Sequence, residues 1–109
     1  MQSFEYETVL GQQAASDKRY LEFLNSGTMS MGLYVLPAGG VDGQQPHTED
    51  EVYYVVSGRG RFVCEGADQP VRAGSILFVP AHADHRFHSI EEELRILVVF
   101  APAEYSQRK

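Results

Sequence analysis

All four histidines of the chain fall in two short segments, His47 in one and His82, His85 and His88 in the other. Glu51 follows His47 by four residues, a spacing that puts both on one face of either a helix or a strand. The next five residues, Val52-Tyr53-Tyr54-Val55-Val56, are β-branched or aromatic and favour the strand. With a period of two, Glu51, Tyr53 and Val55 then share a face. A carboxylate on an interior face must be paired or metal-bound, because an isolated buried charge is very costly. His85 and His88 are an odd number of residues apart, so only one of them can face inward in a straight strand. An inward set of His47, Glu51 and His85 offers two imidazoles and one carboxylate. Those donors suit one divalent transition metal, Fe, Mn, Ni or Zn, and leave coordination positions open for a substrate or dioxygen. The competing reading of the same three residues is a hydrogen-bonded polar cluster that holds no metal.

Short strands must position these groups. Gly and Pro punctuate the chain at close intervals, and β-branched and aromatic residues fill the gaps. Met29 to Leu36, Glu51 to Val56, Arg61 to Glu65, Ile76 to Val79 and Leu94 to Phe100 each read as a strand. Ser57 to Gly60 reads as a hairpin turn between two of them, and Glu91-Glu92-Glu93 as an exposed turn. Evenly spaced short strands with turn signals between them indicate a sandwich or barrel. Phe4 to Gln13 fits a short amphipathic helix or a strand, with the helix preferred. Lys18 to Leu24 fits a helix ending at Gly27 or a strand, with the strand preferred. The fold class expected is therefore all-β with a short N-terminal helix, in one domain spanning residues 1–109.

Composition narrows the function classes. The 109 residues are 43% hydrophobic and 22% charged, which is ordinary globular usage. Nine Lys and Arg against fifteen Asp and Glu give a formal net charge of −6. A chain of that sign repels phosphate backbones and anionic lipid in the absence of a basic patch, so neither nucleic acid nor a membrane is an expected partner. Cys64 is the sole cysteine and has no partner for an internal disulfide. The N-terminus lacks the basic start and apolar run of a signal peptide, and the longest apolar run, Ile96 to Ala101, is far below the ~20 residues of a membrane span. A cytoplasmic protein is expected.

The stretch Gly39 to Gly58 resembles the first motif of the cupin family: glycine, five residues, His-x-His, three or four residues, Glu, six residues, glycine. In this chain Gly39 is followed by five residues, Gln45-Pro46-His47, three residues, Glu51, six residues and Gly58. The second motif is glycine, five residues, Pro-x-Gly, two residues, His, three residues, Asn; Gly74, Pro80, His82, His85 and Ser89 fall at those places. Fifteen residues separate Gly58 from Gly74, similar to the spacing of small bacterial cupins. The resemblance implies a conserved-barrel, RmlC-like jelly roll of antiparallel strands, commonly paired as a homodimer. It departs at three positions. Gln45 replaces the first histidine of the first motif, His82 replaces a glycine and Ser89 an asparagine. Gln45 is then a weak fourth metal ligand or a hydrogen-bonding neighbour of the metal ligands.

Tyr53 and Phe87 share faces with Glu51 and His85, and are candidates for the wall of a substrate pocket or for the core. His82 is a candidate at the barrel mouth, as a pocket residue, a substitute ligand or a turn residue. Glu49 and Asp50 read as solvated charges, and His88 as an outward imidazole. Taken together, the expectation is a metal-dependent enzyme acting on a small oxygen-bearing molecule, with dioxygenase-like oxidation or ring cleavage leading and isomerisation or lyase chemistry the rival. A non-catalytic ligand-binding or sensor module is the alternative, and a purely structural role through dimerisation is the third. No catalytic acid or base is assigned from the sequence.

Overall fold

The computed structural model describes residues 1–105. Helix α1 (Tyr6–Ala15) leads into strands β1 (Tyr20–Asn25), β2 (Ser30–Leu36), β3 (Asp50–Cys64), β4 (Ala67–Arg72), β5 (Ile76–Val79) and β6 (His85–Ala101). All strand pairs are antiparallel, in the order β1-β2-β6-β3-β4 with β5 on β3. The preferred readings of the first 27 residues hold: the helix and the strand both form.

The N-terminal helix places Tyr6, Val9, Leu10 and Gln13 at i, i+3, i+4 and i+7, the stripe of an amphipathic helix. Val9 is buried with Leu33 and Val35 of β2, and Tyr6 and Leu10 pack against them. The Gln13 side-chain amide donates to the carbonyls of Lys18 and Arg19, which ties the helix end to the start of β1. Part of the sheet's outer apolar surface is therefore covered from within the chain.

Inside the barrel, alternate residues of β3 and β6 form the main core. Tyr53, Val55 and Phe62 of β3 meet Phe87, Leu94, Ile96, Val98 and Phe100 of β6. Each such side chain fully removed from water contributes about 1.5–3 kcal/mol, so the shared interior of these two strands dominates stability.

Two expected turns are absent. Residues Ser57 to Gly60 run on within β3, and Glu91 to Glu93 lie inside β6. The reason is a set of bulges. Register shifts fall between Val55 and Ser57, Ser57 and Arg59, and Arg59 and Arg61, and β6 places Ser89, Ile90 and Glu91 opposite the single Gly60 of β3. Such bulges bend and twist a strand without ending it. Gly58 sits at φ +94°, and a Cβ there would collide with the Glu93 carbonyl. Its glycine serves close strand approach inside a curved ladder, which leaves the same sequence mark as a turn.

Candidate metal centre

Three elements bring the predicted donors together. His47 stands in the loop between β2 and β3, Glu51 near the start of β3, and His85 at the start of β6. Glu51 is fixed laterally, paired with Val79 of β5 on one side and Phe100 of β6 on the other. Two bonds hold the His47 loop against the β5–β6 connection: the His82 N–H donates to the His47 carbonyl at 2.7 Å, and the Ala81 N–H to the Asp50 carboxylate at 2.9 Å. His47, Glu51 and His85 are all buried, and one ligand atom from each lies within 4.8 Å of the others.

The donor chemistry fits a cation. Both Glu51 oxygens and His47 Nδ1 are buried with no hydrogen-bond partner, a costly arrangement for a carboxylate unless something positive faces it. Glu51 Oε1 lies 3.2 Å from His85 Nε2 and 3.8 Å from His47 Nδ1. His85 Nδ1 is 2.8 Å from the Ala83 carbonyl, which can only accept, so this nitrogen carries a proton and Nε2 is the one turned toward Glu51.

Beside the triad runs a hydrogen-bonded chain that sequence reasoning missed. Buried Asp42 accepts from the Phe87 backbone N–H at 2.9 Å, the Tyr34 hydroxyl at 2.6 Å and the Gln44 side-chain amide at 2.9 Å. The Gln44 carbonyl oxygen then accepts from the Tyr53 hydroxyl at 3.0 Å, and that hydroxyl lies 3.1 Å from His85 Nε2. Gln44, not Gln45, is thus the amide turned inward from this loop. Gln45 is exposed, in an irregular segment where no period-two pattern tells in from out. A hint of the arrangement lay in Asp42, an acidic residue two positions ahead of the inward amide.

The remaining candidates separate by place. Tyr53 borders the triad; burial first, then the nearby Glu51 carboxylate, pushes its phenol well above the usual range, so it keeps its proton. Phe87 is a core aromatic packed on Tyr53 and Phe62, with ring centroids 5.0 and 4.7 Å away. His82 is exposed at φ +69°, and Ser89 lies at φ +49°. Both replace residues of the resembled motif, glycine and asparagine, that adopt the left-handed region readily, which marks these positions as backbone requirements. His88 turns outward to Asp68, 2.9 Å away. Glu49, read as solvated, is buried; its carboxylate accepts from the Thr48 hydroxyl and the Tyr105 N–H.

A small cavity of about 90 Å³ adjoins Glu51, walled by Tyr20, Tyr34, Gln44, Val98, Phe100 and Glu104. The Tyr20 hydroxyl is buried there without a partner. Tyr20 can lie across β2 because the residue beneath its ring is Gly32, where a Cβ would collide with that ring. A larger surface hollow lined by Arg59, Arg61 and Arg72 shares no residue with the triad.

Burial pushes the His85 imidazole down from its ordinary 6.5, but Glu51, the Ala83 carbonyl and Asp42 outweigh it and the net shift is upward. A folded-state value above the unfolded one gives stability that is complete below about 6.5 and is lost as pH rises through the folded value. Protein stripped of divalent metal is therefore expected to lose thermal stability over that rise, by a margin absent in His85→Gln. Added metal, which competes with the His85 proton, is expected to raise the melting temperature more as pH climbs through the same window. Thermal melts across pH, with and without metal, check both.

These features define a small antiparallel β-barrel with a buried His/Glu/His cluster. Residues 32–100 match the cupin domain family, and the chain belongs to that family. It is 47% identical over 104 residues to an uncharacterised protein of Streptomyces coelicolor, covering 95% of this chain and 99% of that one. The fold is similar to a Cupin 2 conserved barrel domain protein of Salinispora arenicola, with TM-score 0.67 and 21% identity over 75% of this chain and 73% of the other. It is similar also to the DMSP lyase DddQ of Ruegeria pomeroyi, with TM-score 0.68 and 20% identity over 76% of this chain and 47% of that one. Among the described residues no helix is long and apolar enough to cross a membrane.

Proposed function

We propose that His47, Glu51 and His85 hold one divalent transition metal ion, Fe, Mn, Ni or Zn, and that the protein is a metal-dependent enzyme acting on a small oxygen-bearing molecule. The observation that carries this reading is the convergence of three buried donor groups whose facing atoms, His47 Nδ1 and both Glu51 oxygens, lack hydrogen bonds. When bound, such an ion supplies Lewis-acid polarisation of a ligand oxygen and, for iron or manganese, a redox centre for dioxygenase-like chemistry. The chain's own groups then orient the substrate. Tyr20 offers an unpartnered hydroxyl, Glu104 an acceptor, and Val98 and Phe100 an apolar wall that limits water. Lewis-acid lyase chemistry is the rival within this class, in keeping with the similar fold of the DMSP lyase.

A second reading, a non-catalytic ligand-binding module, is favoured by the small size of the cavity. Metal analysis of purified protein tests the common premise: near-stoichiometric metal is expected in wild type, with little in His47→Ala and His85→Ala. No metal in wild type overturns it. A thermal-shift screen with small oxygen-bearing compounds then separates the two readings, because a shift without turnover supports the binding module.

We also propose a homodimer and a cytoplasmic location. Ile76, Phe78 and Tyr54 stand exposed on adjacent β5 and β3, an apolar face of the kind that pairing covers. Sedimentation of wild type is expected to give a dimer and of Phe78→Asp a monomer; a monomeric wild type overturns the pairing. Cell fractionation checks the location.

A further inference from the structure

His47 has a second carboxylate partner, supplied from beyond the last strand. Glu104 Oε2 lies 2.9 Å from His47 Nε2. Backbone anchors on both sides hold that carboxylate in place. The Ala103 N–H donates to the Gly27 carbonyl at 3.2 Å, the Glu104 N–H to the buried Ser30 hydroxyl at 3.0 Å, and the Tyr105 N–H to the Glu49 carboxylate. The Tyr105 ring stacks on the His47 ring, 5.0 Å between centroids and 22° between planes. The imidazole is thus gripped by its edge and by its face.

An acceptor at one imidazole nitrogen keeps the proton there and leaves the other nitrogen with its lone pair free. For His47 the nitrogen held by Glu104 is Nε2, and the one without a partner, turned toward Glu51, is Nδ1. His85 is arranged in the opposite sense, with Nδ1 on the Ala83 carbonyl and Nε2 toward Glu51. We propose that Glu104 is a positioning residue that fixes the His47 tautomer, so that the metal is taken by Nδ1 of His47 and Nε2 of His85. An acceptor bonded to the far nitrogen of a ligating histidine fixes its tautomer and the orientation of the ring. The inference rests on the metal-binding reading for its function, but the tautomer itself does not depend on metal.

The experiment uses the full chain, labelled with ¹⁵N-histidine, after chelation and at a pH where the imidazole is neutral. Two-bond nitrogen–proton spectra are expected to report a protonated Nε2 and a bare Nδ1 for His47. Glu104→Ala is expected to give a mixture of tautomers. Glu104→Gln retains an acceptor oxygen and is expected to keep the wild-type pattern. Chelator competition with zinc is expected to give roughly 10–100-fold weaker binding for Glu104→Ala, with Glu104→Gln nearer to wild type. A bare Nε2 in wild-type His47 overturns the proposal, as does a Glu104→Ala variant with unchanged tautomer and affinity. A Glu104→Gln loss as large as that of Glu104→Ala also overturns it, because the carboxylate would then be acting as a direct ligand or through its charge. Failure of wild type to bind zinc sinks the metal reading alone, and the spectra still decide what Glu104 does to His47.

Discussion

Glu51→Leu is expected to cut metal affinity by roughly 10³-fold, the share of one ligand among a few, while making the metal-stripped protein more stable by about 1–3 kcal/mol. The two effects have one origin. Both oxygens of Glu51 are buried without hydrogen bonds, so the carboxylate is desolvated, and His85 Nε2, 3.2 Å away, is the nearest group whose protonation offsets it. Where His85 is neutral, that offset is gone and the buried charge is a net cost. Leucine removes the charge and fills similar space between Tyr34, Val98 and Phe100, which line the adjoining cavity. The measurement is urea unfolding after chelation, at a pH above the raised titration of His85, alongside metal analysis. A Glu51→Leu protein that keeps its metal, or that unfolds more easily than wild type, contradicts the account. The trade is the kind expected of a functional site, where a group is retained against its own cost in stability.

Asp42→Ala is expected to lower stability by about 3–5 kcal/mol, a large part of the 5–15 kcal/mol that holds a typical domain together. Alanine strands the Phe87 N–H and the Tyr34 hydroxyl, both buried and both bonded to Asp42, and each orphaned donor costs about 1–3 kcal/mol. The damage also reaches the triad. Without Asp42 the Gln44 amide loses its anchor, and Gln44 is the acceptor that orients Tyr53 beside His85. Weaker metal binding should therefore accompany the lost stability. Asp42→Asn, which keeps one acceptor oxygen, should lose less. Denaturant midpoints for the two variants decide it, and an alanine variant within about 1 kcal/mol of wild type would show that the network is dispensable.

Much of the site was legible because regular strands obey a parity rule. Once Glu51 stands on a strand, Tyr53 and Val55 must share its face, and all three are buried. The same rule separates His85, which is buried, from His88, which turns to Asp68. Parity fails where the backbone is irregular. In the loop before β3 it gives no means to choose between Gln44 and Gln45, and the inward amide is Gln44, held by Asp42. The glycines at 58 and 60 carry the signature of a turn, yet the chain uses them for bulges in a long bent strand. Local sequence cannot tell these apart, because both need a backbone without a side chain and only the partner strand differs.

By itself, then, the sequence determined the all-β class, a preference for the N-terminal helix and the candidate triad, since each follows from local periodicity and residue chemistry within its own segment. Only the tertiary structure decided that β3 and β6 run unbroken past each other, that Asp42 and Gln44 support the triad, and that Glu104 closes on His47 from 57 positions away. Those contacts join segments distant along the chain. They arise from how the barrel closes, and no local pattern of side chains encodes that closure.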